Sequence, residues 1–172
     1  MLERGSMRRS VLFWIVAGGL IAGTVDVGAA ALINWISPAI ILRFIASGLI
    51  GPQALRLGAS TAVLGLLLQW LMGIIIAAIF FLASLLIGRA HLARGRWIVA
   101  ALGYGVVIFL VMNYIVMPLS AVHRFPNFTP VRALENLLAM FLFAMIVALC
   151  ARPALRLHPH DAAGPSSPPS SV

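Results

Sequence analysis

One acid stands inside an otherwise apolar run: Asp26, between Val11 and Ile36. A charge at membrane depth costs at least a few kcal/mol on insertion scales, and such residues mark ion pathways, relays or buried pairs. Gly19, Gly23, Asp26 and Ala30 recur at helical spacing, so the carboxyl rides on a stripe of small residues that lets another helix approach and turns Asp26 into the bundle. A second stripe repeats every four residues at Gly65, Gln69, Gly73 and Ala77. Its one amide can hydrogen-bond across helices, a contact that contributes roughly 0.6 to 2 kcal/mol. Asn34, Asn113, Glu135 and Asn136 add polarity to the ends of the apolar runs. Glu135 also meets the favourable end of a helix dipole.

Placed together, Asp26, Asn34, Gln69, Asn113, Glu135 and Asn136 sketch a polar vestibule in one half of a bundle, with Arg43 or Arg56 as counter-ions. The alternative is a scatter of unrelated packing contacts. Other chemistries lack their residues. His91 and His123 fall between the apolar runs, so a bis-His haem or an intramembrane Ser-His dyad has no ligand or base. Ser84 has no partner, and Asp26 with Glu135 is one protein ligand short of a catalytic zinc site. His158 and His160 form at most half a metal site, Cys150 is the only cysteine, and no GxxxxGK[ST] phosphate loop occurs. Neither a cofactor nor a metal is expected.

These residues need elements to hold them. At 172 residues the chain amounts to about one domain. Its composition is 62% hydrophobic and 9% charged, with a mean hydropathy of +1.07, against about 25% charged in soluble domains. Such a chain cannot cover itself in water, so the bilayer is its solvent. The formal charge of +8 rests on twelve basic residues, all arginine, clustered between apolar runs. That distribution follows membrane topology, not a basic groove for nucleic acid.

Four runs are long enough to span: about 11–36, 62–87, 97–119 and 130–150. The first is too long for a cleaved signal peptide and carries Asp26 before any small-residue cleavage site, which predicts a retained helix. Ser37 as N-cap, Pro38 as first residue and Gly48 after the end predict a short helix over 38–47, lying in the interface or re-entering. Residues 1–10 read as a basic cytoplasmic start and 151–172 as a Pro/Ser-rich disordered tail. With four spans the termini share a side. Arg4, Arg8, Arg9, Arg89, Arg94, Arg96, Arg152 and Arg156 then fall with them, and Arg43, Arg56, Arg124 and Arg132 fall opposite. The larger set marks the cytoplasm.

The stretch from Trp97 onward reads Tyr104-Gly105, Met112-Asn113-Tyr114 and Met117-Pro118-Leu119-Ser120-Ala121, followed by a helix that opens with an acid. Over roughly residues 62–150 this resembles the YagU-like proteins of the bacterial inner membrane. The resemblance implies that location and supplies no catalytic residues. The expected fold is all-α: four transmembrane helices in an antiparallel bundle plus the short interfacial or re-entrant helix. Two functions stay open, a non-enzymatic envelope protein that associates with itself or a membrane partner through the glycine stripes, and a small proton- or cation-coupled transporter working through Asp26. One carboxylate in the first of four helices is similar to the arrangement of small multidrug transporters. A membrane enzyme ranks last, because residues for acid-base work do not cluster.

Overall fold

A computed structural model describes residues 2–87, 96–123 and 127–156. Among them there is no strand, and the helices run α1 (Leu2–Asn34), α2 (Pro38–Ile50), a 3-10 turn (Pro52–Arg56), α3 (Ala59–Ile87), α4 (Arg96–Val111), a π turn (Met112–Val116), α5 (Met117–Leu119) and α6 (Pro130–Arg156). Among the described residues four segments are long and apolar enough to cross a membrane: Arg9–Asn34, Ala59–Leu86, Arg96–Leu119 and Pro130–Pro153. Pro38–Ile50 is a shorter apolar helix beside them. Arg89, His91, Arg94 and Arg124, with the predicted tail from residue 157 on, lie outside the described residues.

Helix α1 is the hub. It packs against both α3 and α6, while α4 packs on α6 and α2 on α3. The contacts fix the direction of each pair. Gly19 meets Gly73 and Gly23 meets Gln69, so position falls on α3 as it rises on α1. Gly18 faces Cys150 while Ile33 meets Arg132, which makes α1 and α6 antiparallel too. Gly105 against Phe141 and Asn113 against Asn136 do the same for α4 and α6.

Buried apolar side chains concentrate in one half of the bundle. Val11, Ala77, Phe80, Phe81, Ala101, Phe143, Ala144, Val147, Ala148 and Ala151, drawn from all four long helices, form most of that core, and Ala22 and Ile108 extend it toward the middle. The outward faces, such as Leu67, Leu71, Val99, Val107 and Leu138, are exposed apolar surface, as hydrocarbon-facing helices require.

Three boundaries differ from the sequence reading. Residues from Leu2 on already belong to α1, since nothing before Arg9 stops a helix. The short helix does not stop before Gly48 but continues to Ile50, where Gly51 takes φ +87° and Pro52 follows. Gly48 instead serves the helix interior: its carbonyl accepts the amide of Ala121 at 2.8 Å, docking α2 to the end of α5. Helix α6 runs past Cys150 to Arg156 because Pro153 falls in its last turns, where one lost backbone bond ends little. At its start Thr129 is the cap, its Oγ1 accepting the Arg132 amide at 3.4 Å.

Candidate functional site

The two glycine stripes meet each other. A Cβ on Gly19 would stand 2.5 Å from the Ile74 backbone, and one on Gly73 would collide with the Gly19 carbonyl, so two helix backbones touch at this crossing. A Cβ on Gly23 would lie 3.3 Å from the Gln69 carbonyl. Gly65, on the same face of α3, is covered by the Leu42 carbonyl of α2. All four glycines are therefore used inside the chain. Their role within the chain is close packing of one helix against the next.

That close approach sets the polar contact. Buried Gln69 donates Nε2 to Asp26 Oδ2 at 2.9 Å and to the Gly23 carbonyl at 3.3 Å. From the next residue on each helix, Trp70 Nε1 donates to Thr24 Oγ1 at 3.1 Å, a second bridge between α1 and α3. No described arginine lies within ion-pair distance of Asp26.

From Asp26 a cleft of about 360 Å³ opens between α1 and α6, walled by Ala30, Ile33 and Asn34 on one side and Arg132, Asn136, Ala139 and Met140 on the other. Asn127, Phe128 and Thr129 complete its rim. A smaller cavity of about 30 Å³ lies on the other side of Asp26 and shares Asp26 and Met140 with the cleft. Asp26 is thus the carboxyl between two spaces, and beyond the smaller one comes the apolar core.

The cleft gathers three of the residues singled out from the sequence, Asp26, Asn34 and Asn136, and Gln69 joins them through its hydrogen bond. Asn113 adjoins them from α4: buried, it donates Nδ2 to the Phe109 carbonyl at 2.8 Å and stands 3.5 Å from Asn136 Oδ1. It sits in the π turn, a widening that precedes Pro118, whose ring crowds the preceding turn and has no N–H to give.

Glu135 does not enter the cleft lining. It pairs with Arg132 at 3.6 Å across one turn of α6. Neither Arg43 nor Arg56 reaches Asp26, correcting their expected role as counter-ions. Arg43 is carried on α2, which packs over Gly65 of α3 and not over the α1–α6 cleft, and its Nε is buried without a hydrogen bond. Arg56 is exposed at the end of the 3-10 turn.

Arg132 is the arginine that does enter. Its Nη1 donates to the Ile33 carbonyl at 3.0 Å and to Asn34 Oδ1 at 3.2 Å, capping the end of α1 from the start of α6. In the sequence it is one of four arginines on the minority side, and nothing local separates it from Arg43 or Arg56. No family model, curated protein or solved structure matches this chain.

Proposed function

We propose that this chain is a non-enzymatic, multi-pass protein of a bacterial inner membrane that takes a proton or small cation at Asp26 and couples its binding to passage of a solute. The observation that carries the reading is the setting of one carboxyl: Asp26 lines a cleft of about 360 Å³ and is held by an amide, not by a guanidinium. A purely structural buried charge calls for a paired cation or several donors, whereas a coupling carboxyl needs access and a partner it can exchange. The apolar core across the far half of the bundle supports a cleft with one open end, and the arginine distribution supports both termini in the cytoplasm with that end outward. The resemblance to YagU-like proteins, in Tyr104-Gly105 and in Met112 to Tyr114, supports the inner membrane.

Infrared difference spectroscopy on protein in lipid tests the reading. The expected result is a carboxyl C=O band that changes with pH and with an added monovalent cation, and that vanishes in Asp26→Asn. A wild-type spectrum without such a band, or one unchanged in Asp26→Asn, overturns it.

A second reading, association with another copy or with a membrane partner, draws on different glycines from those first assigned. A Cβ at Gly28 or Gly103 would meet nothing within 4 Å, so these positions leave room for an outside helix. Loss of an oligomer in Gly28→Leu or Gly103→Leu, read by light scattering in detergent, separates the two readings.

A further inference from the structure

The smaller cavity has a lining that the coupling role of Asp26 does not explain. Its wall includes Met72 from α3, Met112 from the π turn after α4, and Met140 from α6, and Asp26 of α1 with Gln69 completes the polar part. Each of the four long segments thus contributes to one space, three of them a thioether and the fourth a carboxyl. Methionine in a core ordinarily flexes to fill gaps. Here three methionines, with Ile76, Ile108 and Phe143 beside them, line a gap of about 30 Å³ that remains open. A water needs roughly 10 to 15 Å³ of such volume, so the space suits one small ion or a water or two.

The donor set chooses among ions. Hard cations such as Na⁺, Mg²⁺ and Ca²⁺ take oxygen ligands, and one carboxylate with one amide is too few for them. Thioethers are soft donors that select Cu(I) and its close analogue Ag(I). They are also neutral, so a monovalent ion with the single Asp26 carboxylate leaves no net charge in the low-dielectric interior. Because the cleft shares Asp26 and Met140 with this cavity, an ion has a polar route to it.

We infer that Met72, Met112, Met140 and Asp26 form a binding site for a soft monovalent metal ion of the Cu(I) class. The inference rests on the reading of Asp26 as a cation-binding carboxyl and names the cation.

Silver(I) is the probe, since it needs no reductant. Full-length protein in detergent, carrying Cys150→Ala to remove the one thiol, is loaded in chloride-free buffer, desalted and assayed for retained silver. The expected result is one equivalent that is lost in the Met72→Leu, Met112→Leu, Met140→Leu triple variant. Each single substitution weakens binding at least about tenfold, the smallest loss seen when even a supporting partner of a metal ligand is removed. Met117→Leu, outside the cavity, changes nothing. Because the triple variant can lose its fold, X-ray absorption of the bound metal in the Cys150→Ala protein provides an independent readout, a sulfur shell being expected. Equal silver in the triple variant, or a shell without sulfur, overturns the site. A pH-responsive Asp26 band that persists without silver binding defeats this inference alone; a missing band defeats the coupling reading itself.

Discussion

Gln69 Nε2 stands 2.9 Å from Asp26 Oδ2, and this hydrogen bond ties the centre of α3 to the centre of α1. It exists because Gly23, 3.3 Å from the same nitrogen through its carbonyl, lets α3 close on α1. An asparagine at position 26 keeps an acceptor for Gln69. Thermal unfolding of Asp26→Asn should therefore stay within about 0.5 kcal/mol of wild type near neutral pH. Asp26→Leu removes the acceptor and should cost about 1 to 2 kcal/mol.

The glycines divide by what faces them. Gly19→Ala and Gly73→Ala push a methyl into a neighbouring backbone that has no rotamer to give. Each should destabilise by about 1 to 3 kcal/mol, the cost of overpacking. Gly103→Ala meets open space and should be neutral or stabilising by up to about 1 kcal/mol through helix propensity. Unfolding in mixed micelles, compared across the three variants, checks the order.

Arg132 caps the end of α1 from another helix, through the Ile33 carbonyl and the Asn34 side-chain oxygen. Arg132→Ala should loosen the end of α1 without unfolding the bundle, at a cost of about 1 kcal/mol because the side chain is partly exposed. Hydrogen exchange should rise around Asn34, Trp35 and Ile36 and remain unchanged at Val147, a fully buried core residue. Uniform acceleration along the chain would contradict a local cap.

Tyr104 reaches from α4 to the Ile76 carbonyl of α3 at 2.7 Å, and its ring lies 5.1 Å from that of Phe80. Tyr104→Phe keeps the ring contact and removes only the hydroxyl. Stability should fall by about 0.5 to 1.5 kcal/mol, the net value of one hydrogen bond, whereas Tyr104→Ala should lose several times as much by opening the core. Similar losses for the two variants would show that the bond, not the packing, holds α4.

Thiol labelling tests access to the cleft. In a Cys150→Ala background, Asn34→Cys and Asn136→Cys lie on the cleft wall, while Val147→Cys lies in the apolar core. An impermeant maleimide added to intact cells should modify the first two and spare the third. Modification only after the cytoplasmic face is opened would reverse the orientation.

The sequence itself determines the number of long helices and which residues on each carry polarity. Hydrocarbon demands long apolar runs, so spans are written in composition, and the four-residue recurrence of Gly65, Gln69, Gly73 and Ala77 marks one face whatever that face meets. The buried positions of α3 follow that recurrence. Asp26 is legible for the same reason, as the one acid in an apolar helix.

What the faces meet was decided by tertiary structure. Arg132, not Arg43 or Arg56, reaches the cleft because α1 lies between α3 and α6, an order that no local pattern encodes. The glycine stripes of α1 and α3 turn toward each other for the same reason. Asn113 faces Asn136 from within a π turn, and Met72, Met112 and Met140 converge across three helices. Helical spacing fixes neighbours on one helix, three or four residues apart. Neighbours on different helices depend on packing order and rotation, which the whole bundle sets at once.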